Sequence, residues 1–78
     1  MKVEIITPEA TLFEGEGNYV YLPGSDGSLG VLNNHAPMIT SLKKGTVRVK
    51  DKSGKEHKFD VKGGTVEVFR NKVTILAE

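Results

Sequence analysis

Ser25, Asp26 and His35 bring into one short stretch the side-chain types of a nucleophile, an acid and a base. Such a relay depends on geometry in space, with the nucleophile on a sharp elbow and the base within hydrogen-bond reach. No G-x-S-x-G elbow leading into a helix surrounds Ser25. The simpler reading makes Ser25 and Asp26 turn residues that bond nearby backbone, and His35 an organiser of the next turn. Gly24, Gly27 and Gly30 invite a phosphate-loop reading, but their spacing fits neither G-x-x-x-x-G-K-[ST] nor G-x-G-x-x-G, and no helix follows to hold an anion. Their expected task is positive φ and close backbone approach in a loop between strands. Two histidines without a cysteine or a His/Asp cluster do not make a structural metal site, and no cofactor is expected.

Lys43 to Lys58 hold seven Lys/Arg against two acids, so this segment carries +5 while the rest of the chain carries −4, for a formal net charge of +1. A basic strand can follow a phosphate backbone, as small β-barrels do with single strands, but those modules also offer aromatic stacking platforms. Phe59 is the nearest aromatic residue in sequence, at the border of the segment and on the inward side of its alternation. A solvated strand face whose lysines protect an edge is the commoner arrangement. An oligonucleotide-binding β-domain using residues 43–58 is therefore kept only as the alternative function.

The elements that must position these residues are strands. Seventy-eight residues suffice for one domain, 1–78, which would bury about 60 to 65% of its unfolded surface. The absence of cysteine excludes a disulfide framework and favours a reducing compartment. No apolar run reaches the length of a signal-peptide core or a membrane span, which reads as soluble and cytoplasmic. Val3 to Ile6 is a β-branched run closed by Pro8; Thr11 to Glu16 reads as a second strand ending in a bulge or turn at Gly15, Gly17 and Asn18; Tyr19 to Leu22 reads as a third, stopped by Pro23-Gly24. Ser28 to Leu32, Met38 to Leu42 and Thr46 to Asp51 follow. Asp51-Lys52-Ser53-Gly54 reads as a hairpin loop with a left-handed glycine, after which His57, Phe59 and Val61 alternate on the apolar side. Thr65 to Phe69 and Lys72 to Leu76 form a last hairpin with Asn71 at positive φ. About eight to ten short strands without a helical period predict an all-β sandwich or flattened barrel.

Between tight turns lies an apolar run of Leu29, Val31, Leu32, Ala36, Met38 and Ile39. About half of it should fill the core, and the remainder is a candidate partner surface.

At this stretch the chain resembles the ε subunit of bacterial F-type ATP synthase, equivalent to the mitochondrial δ subunit. The resemblance rests on Leu22-Pro23-Gly24-x-x-Gly27-x-Leu29-Gly30-Val31-Leu32, His35-Ala36-Pro37-Met38-Ile39-Thr40 and Leu42-Lys43-x-Gly45-x-Val47-Arg48-Val49. Gly63-Gly64-x-Val66-Glu67-Val68 and Asn71-x-Val73-Thr74-Ile75-Leu76-Ala77 continue it, and Ile5-Ile6-Thr7-Pro8-Glu9 with Leu12-Phe13-Glu14-Gly15 fit the family's opening.

The resemblance implies a β-sandwich with a mechanical task and no covalent chemistry. One copy would sit on the central stalk between the γ subunit and the membrane c-ring, coupling ion-driven rotation to ATP synthesis. It would be peripheral at the cytoplasmic face of the bacterial inner membrane, without lipid insertion or nucleic acid. Ser25, Asp26, Gly27, Ser28 and Leu29 match the segment facing the c-ring loops. Some members carry an acid where this chain has Ser28, and Asp26 is its candidate replacement. Thr7, His35, Met38 and Thr40 match positions on the γ side, and Leu42 falls to the core. Asp at Met38, or a charge at Val31 if that residue is exposed, is then expected to weaken assembly while leaving the domain folded. The family usually continues after Ala77 into two helices that can inhibit ATP hydrolysis and in some members bind ATP. This chain stops at Glu78, as a naturally short subunit or as a truncated one, and in both cases the inhibitory helices and their ATP site are expected to be absent.

Overall fold

The computed structural model describes residues 1–78 as eight strands: β1 (Lys2–Ile6), β2 (Thr11–Gly24), β3 (Gly27–Leu32), β4 (Met38–Leu42), β5 (Gly45–Asp51), β6 (Glu56–Val61), β7 (Gly64–Phe69) and β8 (Lys72–Ala77). The long β2 divides the fold into two layers. Its first half pairs with β1, which continues through β8 and β7 to β4; its second half lies between β3 and β5, with β6 beyond. A single bridge from Gly24 to Leu42 joins the layers again at one end. All pairings are antiparallel except β1 with β8, which run parallel.

The expected separate strands over 11–16 and 19–22 are one element. The irregularity foreseen at Gly17 and Asn18 is a bulge, where the register against β5 shifts between Gly17 and Tyr19. An extra residue bends a strand and strengthens its twist without ending it. Gly17 is buried there: a Cβ would lie 3.0 Å from Val3 and 3.2 Å from Val49, one residue from each layer. Nor does Pro23-Gly24 stop the strand. The Pro23 carbonyl accepts the Lys43 N–H at 2.9 Å, and proline is tolerated at a position where no ladder donor is needed.

Alternate residues of both layers meet in one apolar cluster. Val3, Ile5, Val66, Val68, Val73 and Ile75 come from the first layer, and Val20, Leu22, Val31, Val47 and Val49 from the second. No polar or charged residue is buried with them. β-branched residues suit this setting, since their stiff side chains pack on a pleated surface.

Turn chemistry follows the sequence closely. Arg70 and Asn71 have φ of 50° and 59°, the two positive values that a two-residue hairpin turn requires. Gly54, at φ 87°, donates to the Asp51 carbonyl at 3.0 Å. Asp51 also accepts through its side chain from the Ser53 and Lys55 N–H groups at 2.9 and 3.0 Å. At the same end, the Met1 amino group donates to Asn33 Oδ1 at 2.6 Å and to the Gly17 carbonyl at 3.1 Å, and Asn71 Oδ1 accepts the Asn34 N–H at 2.7 Å.

Candidate docking faces

Of the three residues that suggested a relay, Ser25 and Asp26 share one turn and His35 lies far from both. Ser25 and Asp26 form the β2–β3 turn at the end of the sandwich that also carries Thr7, Lys43, Lys62 and Glu78; His35 follows β3 at the opposite end. Ser25 accepts the Ser41 hydroxyl at 2.8 Å, and His35 Nδ1 donates to the neighbouring Ala36 carbonyl at 2.7 Å. Both are turn residues, and no proton path joins them.

The β2–β3 tip is stiff. Besides the serine pair, the Ser25 N–H donates to the Ser41 carbonyl at 3.0 Å and Lys43 donates to Pro23, so three hydrogen bonds tie the tip to β4 and the turn after it. Gly24 is needed for its fit, because a Cβ there would lie 2.5 Å from the Gly27 carbonyl oxygen. Ser25, Asp26, Gly27 and Ser28 are exposed and Leu29 is half-buried, so the predicted ring-side residues form one projecting group.

The four predicted γ-side residues are spread along one sheet. Thr7 closes the β1–β2 turn, its N–H donating to the Ala10 carbonyl at 2.8 Å and its hydroxyl accepting the Ala10 N–H at 3.0 Å. His35 lies at the other end, with Met38 and Thr40 between on β4. Met38 and Thr40 are half-buried and share the inward parity of Leu42, and Met38 packs against the core. Substituting Met38 by Asp therefore strains the core as well as the surface. Val31 is fully buried, so the condition set for charging it does not hold.

The exposed member of β4 is Ile39, at 75%. Cross-strand register sets it in a rung with Glu67 of β7, Thr74 of β8 and Glu4 of β1. The adjoining rung runs Ser41, Thr65, Leu76, Ile6. With Phe69 at 50% and Leu76 at 53% exposed, this half of the outer face carries three exposed apolar side chains set among Ser41, Thr65 and Glu67. The half nearer the β1–β2 ladder is charged, with Lys72–Glu4 and Lys2–Glu14 at 3.6 and 3.9 Å. An open cleft of about 420 Å³ between Ile6, Thr7, Thr65 and Leu76 roughens one end. Another, between Met38, Ile39, Glu67 and Phe69, roughens the other.

Sequence reasoning included Ile39 in the apolar run that offered a partner surface but chose Met38 and Thr40 beside it as the γ-side residues, and it missed the exposed Leu76. Alternation along β4 and β8 gives two faces but does not say which is covered. It also missed the outer face of the second sheet, where Tyr21 is paired with Arg48 and Tyr19 with Lys50. The Arg48 guanidinium lies 5.5 Å from the Tyr21 ring centroid, within cation–π range. The aromatic platform absent from the basic segment itself is supplied by β2.

On the other side of β5, Phe59 and His57 pack with Phe13, with ring centroids 5.9 and 5.1 Å from it. His57 Nε2 sits 2.9 Å from Asp51 Oδ2. This bond, together with those from Ser53 and Lys55, holds the Asp51 carboxyl well below the usual carboxylate range.

Residues 1–78 match the family model of the ATP synthase delta/epsilon chain β-sandwich domain. The chain is 45% identical to the ATP synthase epsilon chain of Brevibacillus brevis over 78 residues, covering 100% of this chain and 59% of that one. It is 47% identical to the epsilon chain of Desulforapulum autotrophicum over 76 residues, 97% and 56% of the respective chains. The chain thus spans little more than half the length of these relatives. Among solved structures, a chain of the Euglena gracilis mitochondrial ATP synthase, OSCP/F1/c-ring in rotational state 1, superposes with a TM-score of 0.89 at 21% identity, covering 96% of this chain and 48% of that one. A chain of the Tetrahymena thermophila mitochondrial ATP synthase central stalk and c-ring gives 0.80 at 23% identity, with 99% and 62% covered. At these identities the two structures speak for the fold.

Proposed function

Because the chain belongs to the ATP synthase delta/epsilon β-sandwich family, matched along residues 1–78, we propose that it acts as a subunit of the central stalk. In this reading it joins the γ subunit to the c-ring so that ion-driven rotation reaches the sites of ATP synthesis, and it carries out no bond chemistry itself. One copy serves each complex, held peripherally at the cytoplasmic face of the bacterial inner membrane. The whole-length family match carries the reading, and two features of the fold support it.

The first is the group of exposed apolar side chains on the outer face of the first sheet, suited to γ. Ile39, Leu76 and Phe69 provide central apolar contacts, and Thr7, His35, Met38 and Thr40 border them. Interfaces draw most of their energy from a few such anchors. The second is the tethered tip Ser25 to Leu29, suited to the polar c-ring loops. Asp26 is its exposed acid, able to meet a basic loop where Ser28 cannot. Torque demands a stiff joint, which the ties from the tip to β4 supply.

Co-purification with γ and the c-ring tests the assignment. Ile39→Asp should lower capture of γ at least tenfold while the isolated chain keeps its melting temperature. Asp26→Lys should weaken attachment to the ring and spare γ. Undiminished γ capture by both Ile39→Asp and Leu76→Asp would overturn the γ face.

Tyr19, Tyr21, Arg48 and Lys50 on one outer face favour a second reading, single-stranded nucleic acid on the second sheet. Binding of a labelled oligonucleotide that falls steeply with salt, and is lost in Tyr19→Ala, would support it; salt-independent or absent binding removes it.

A further inference from the structure

β3 is an edge strand, and its open side is unprotected. It pairs only with β2. The sequence Gly27-Ser28-Leu29-Gly30-Val31-Leu32 has no charge and no proline. The far edge of the same sheet is guarded in the usual way, since β6 alternates Glu56, Lys58 and Asp60 on its exposed side.

Which backbone groups of β3 are open follows from the ladder. Successive residues of an antiparallel strand turn their N–H and C=O groups to opposite sides. The Pro23 carbonyl points away from β3, toward Lys43. Its register partner Ser28 therefore also faces away from β2, and Gly30 and Leu32 share that parity. Leu29 and Val31 spend their groups on β2. Three residues thus present N–H and C=O groups at strand spacing, and none of them enters a hydrogen bond outside the β2 ladder.

We propose that this edge pairs with a second copy of the chain, β3 to β3 antiparallel about a two-fold axis through Gly30. Such pairing sets Gly30 opposite Gly30 and Ser28 opposite Leu32, forming up to about six inter-chain hydrogen bonds. The edge is self-complementary in three respects. Its open groups are symmetric about Gly30, and it carries no charge to repel its copy. Side chains beside the axis are small or flat: a Cβ on Gly30 would lie 2.6 Å from the Tyr19 hydroxyl, so that ring lies across the glycine. Leu32, 61% exposed, gains cover from the partner strand. A six-residue edge buries less than the roughly 1,200 to 2,000 Å² of a stable interface, so the dimer is weak and belongs to the free chain at high concentration. The proposal stands on β3 alone and does not depend on the stalk assignment.

Sedimentation of the free chain from 10 µM to 1 mM should give a reversible monomer–dimer equilibrium with dissociation in the upper part of that range. Over the same series, the amides of Ser28, Gly30 and Leu32 should become protected from exchange. Ser28→Pro removes only an outward-facing donor, and Leu32→Lys places a charge at the joint. Each should raise the dissociation constant at least tenfold without altering the monomer's circular dichroism, whereas Lys58→Ala on the other edge should have no effect. A monomer at 1 mM, or a dimer indifferent to both β3 variants, overturns the proposal. Were the chain monomeric while Leu32→Lys, outside the ring-side tip, impaired γ or c-ring capture, the edge would belong to a strand of those partners instead, and self-pairing would likewise be overturned.

Discussion

Asp51 shows how one side chain can organise a hairpin. Its carboxylate accepts from Ser53, Lys55 and His57, all of which favour the charged form and depress its pKa. A group whose pKa is lower in the folded than in the unfolded chain contributes stability that is present above the unfolded value, near 3.8, and lost as pH falls through the folded one. The β5–β6 hairpin should therefore weaken below about pH 4. Asp51→Asn should flatten that part of the pH dependence, as read from amide exchange at Ser53 and Lys55. Gly64 makes a different demand on its position. Its φ of 136° excludes most side chains, and a Cβ would collide with the Leu76 backbone. Gly54 at φ 87° faces open space. Denaturant unfolding should then cost about 1 kcal/mol for Gly54→Ala and about 3 kcal/mol or more for Gly64→Ala.

At the scale of elements, β2 is the member the sequence described least well. Alternation in Thr65 to Phe69 or Thr46 to Asp51 is clean because one face is buried throughout, and the observed β7 and β5 begin just one residue earlier. Across residues 11–24 the inward face changes partners, from β1 to β5 and β3. A glycine pair and a bulge residue at that crossing look in sequence like a chain break. The same limit applies to the docking faces. Ser25 to Ser28 could be read as an exposed tip because turn residues announce themselves. Ile39, Leu76 and the Tyr21–Arg48 pair depend on which strands lie side by side, information that a non-local ladder carries and a single strand does not. The bulge itself can be tested. Deleting Asn18 leaves Tyr19 opposite Lys50 but restores strict alternation from Gly17 to Val20, which removes the bend by which β2 passes between the layers and should shift amide resonances along β2. Asn18→Ala, at an exposed site, should change stability by less than about 0.5 kcal/mol.

For the whole molecule, stability rests on a small apolar core without buried polar groups. A chain of this size has about 4 to 12 kcal/mol in total, and Ile75→Ala, at a fully buried site, should cost about 2 to 4 kcal/mol in chemical denaturation. The variant should sit near the threshold of folding, and a partner on the outer sheet should rescue it by mass action.

The parallel pairing of β1 with β8 gives the molecule a direction of mechanical strength. Lys2 begins one of these neighbours and Ala77 ends the other, so the chain enters at one end of the pair and leaves at the opposite end. Tension between the termini acts along both strands at once and must break the rungs of that ladder together, as in a lap joint. Force applied across the β7–β8 hairpin instead opens the rungs one after another, as in a zip. Pulled by its ends in an optical trap, the chain should yield at a clearly higher force than when gripped at Gly64 and Ala77, the pair at that hairpin's open end.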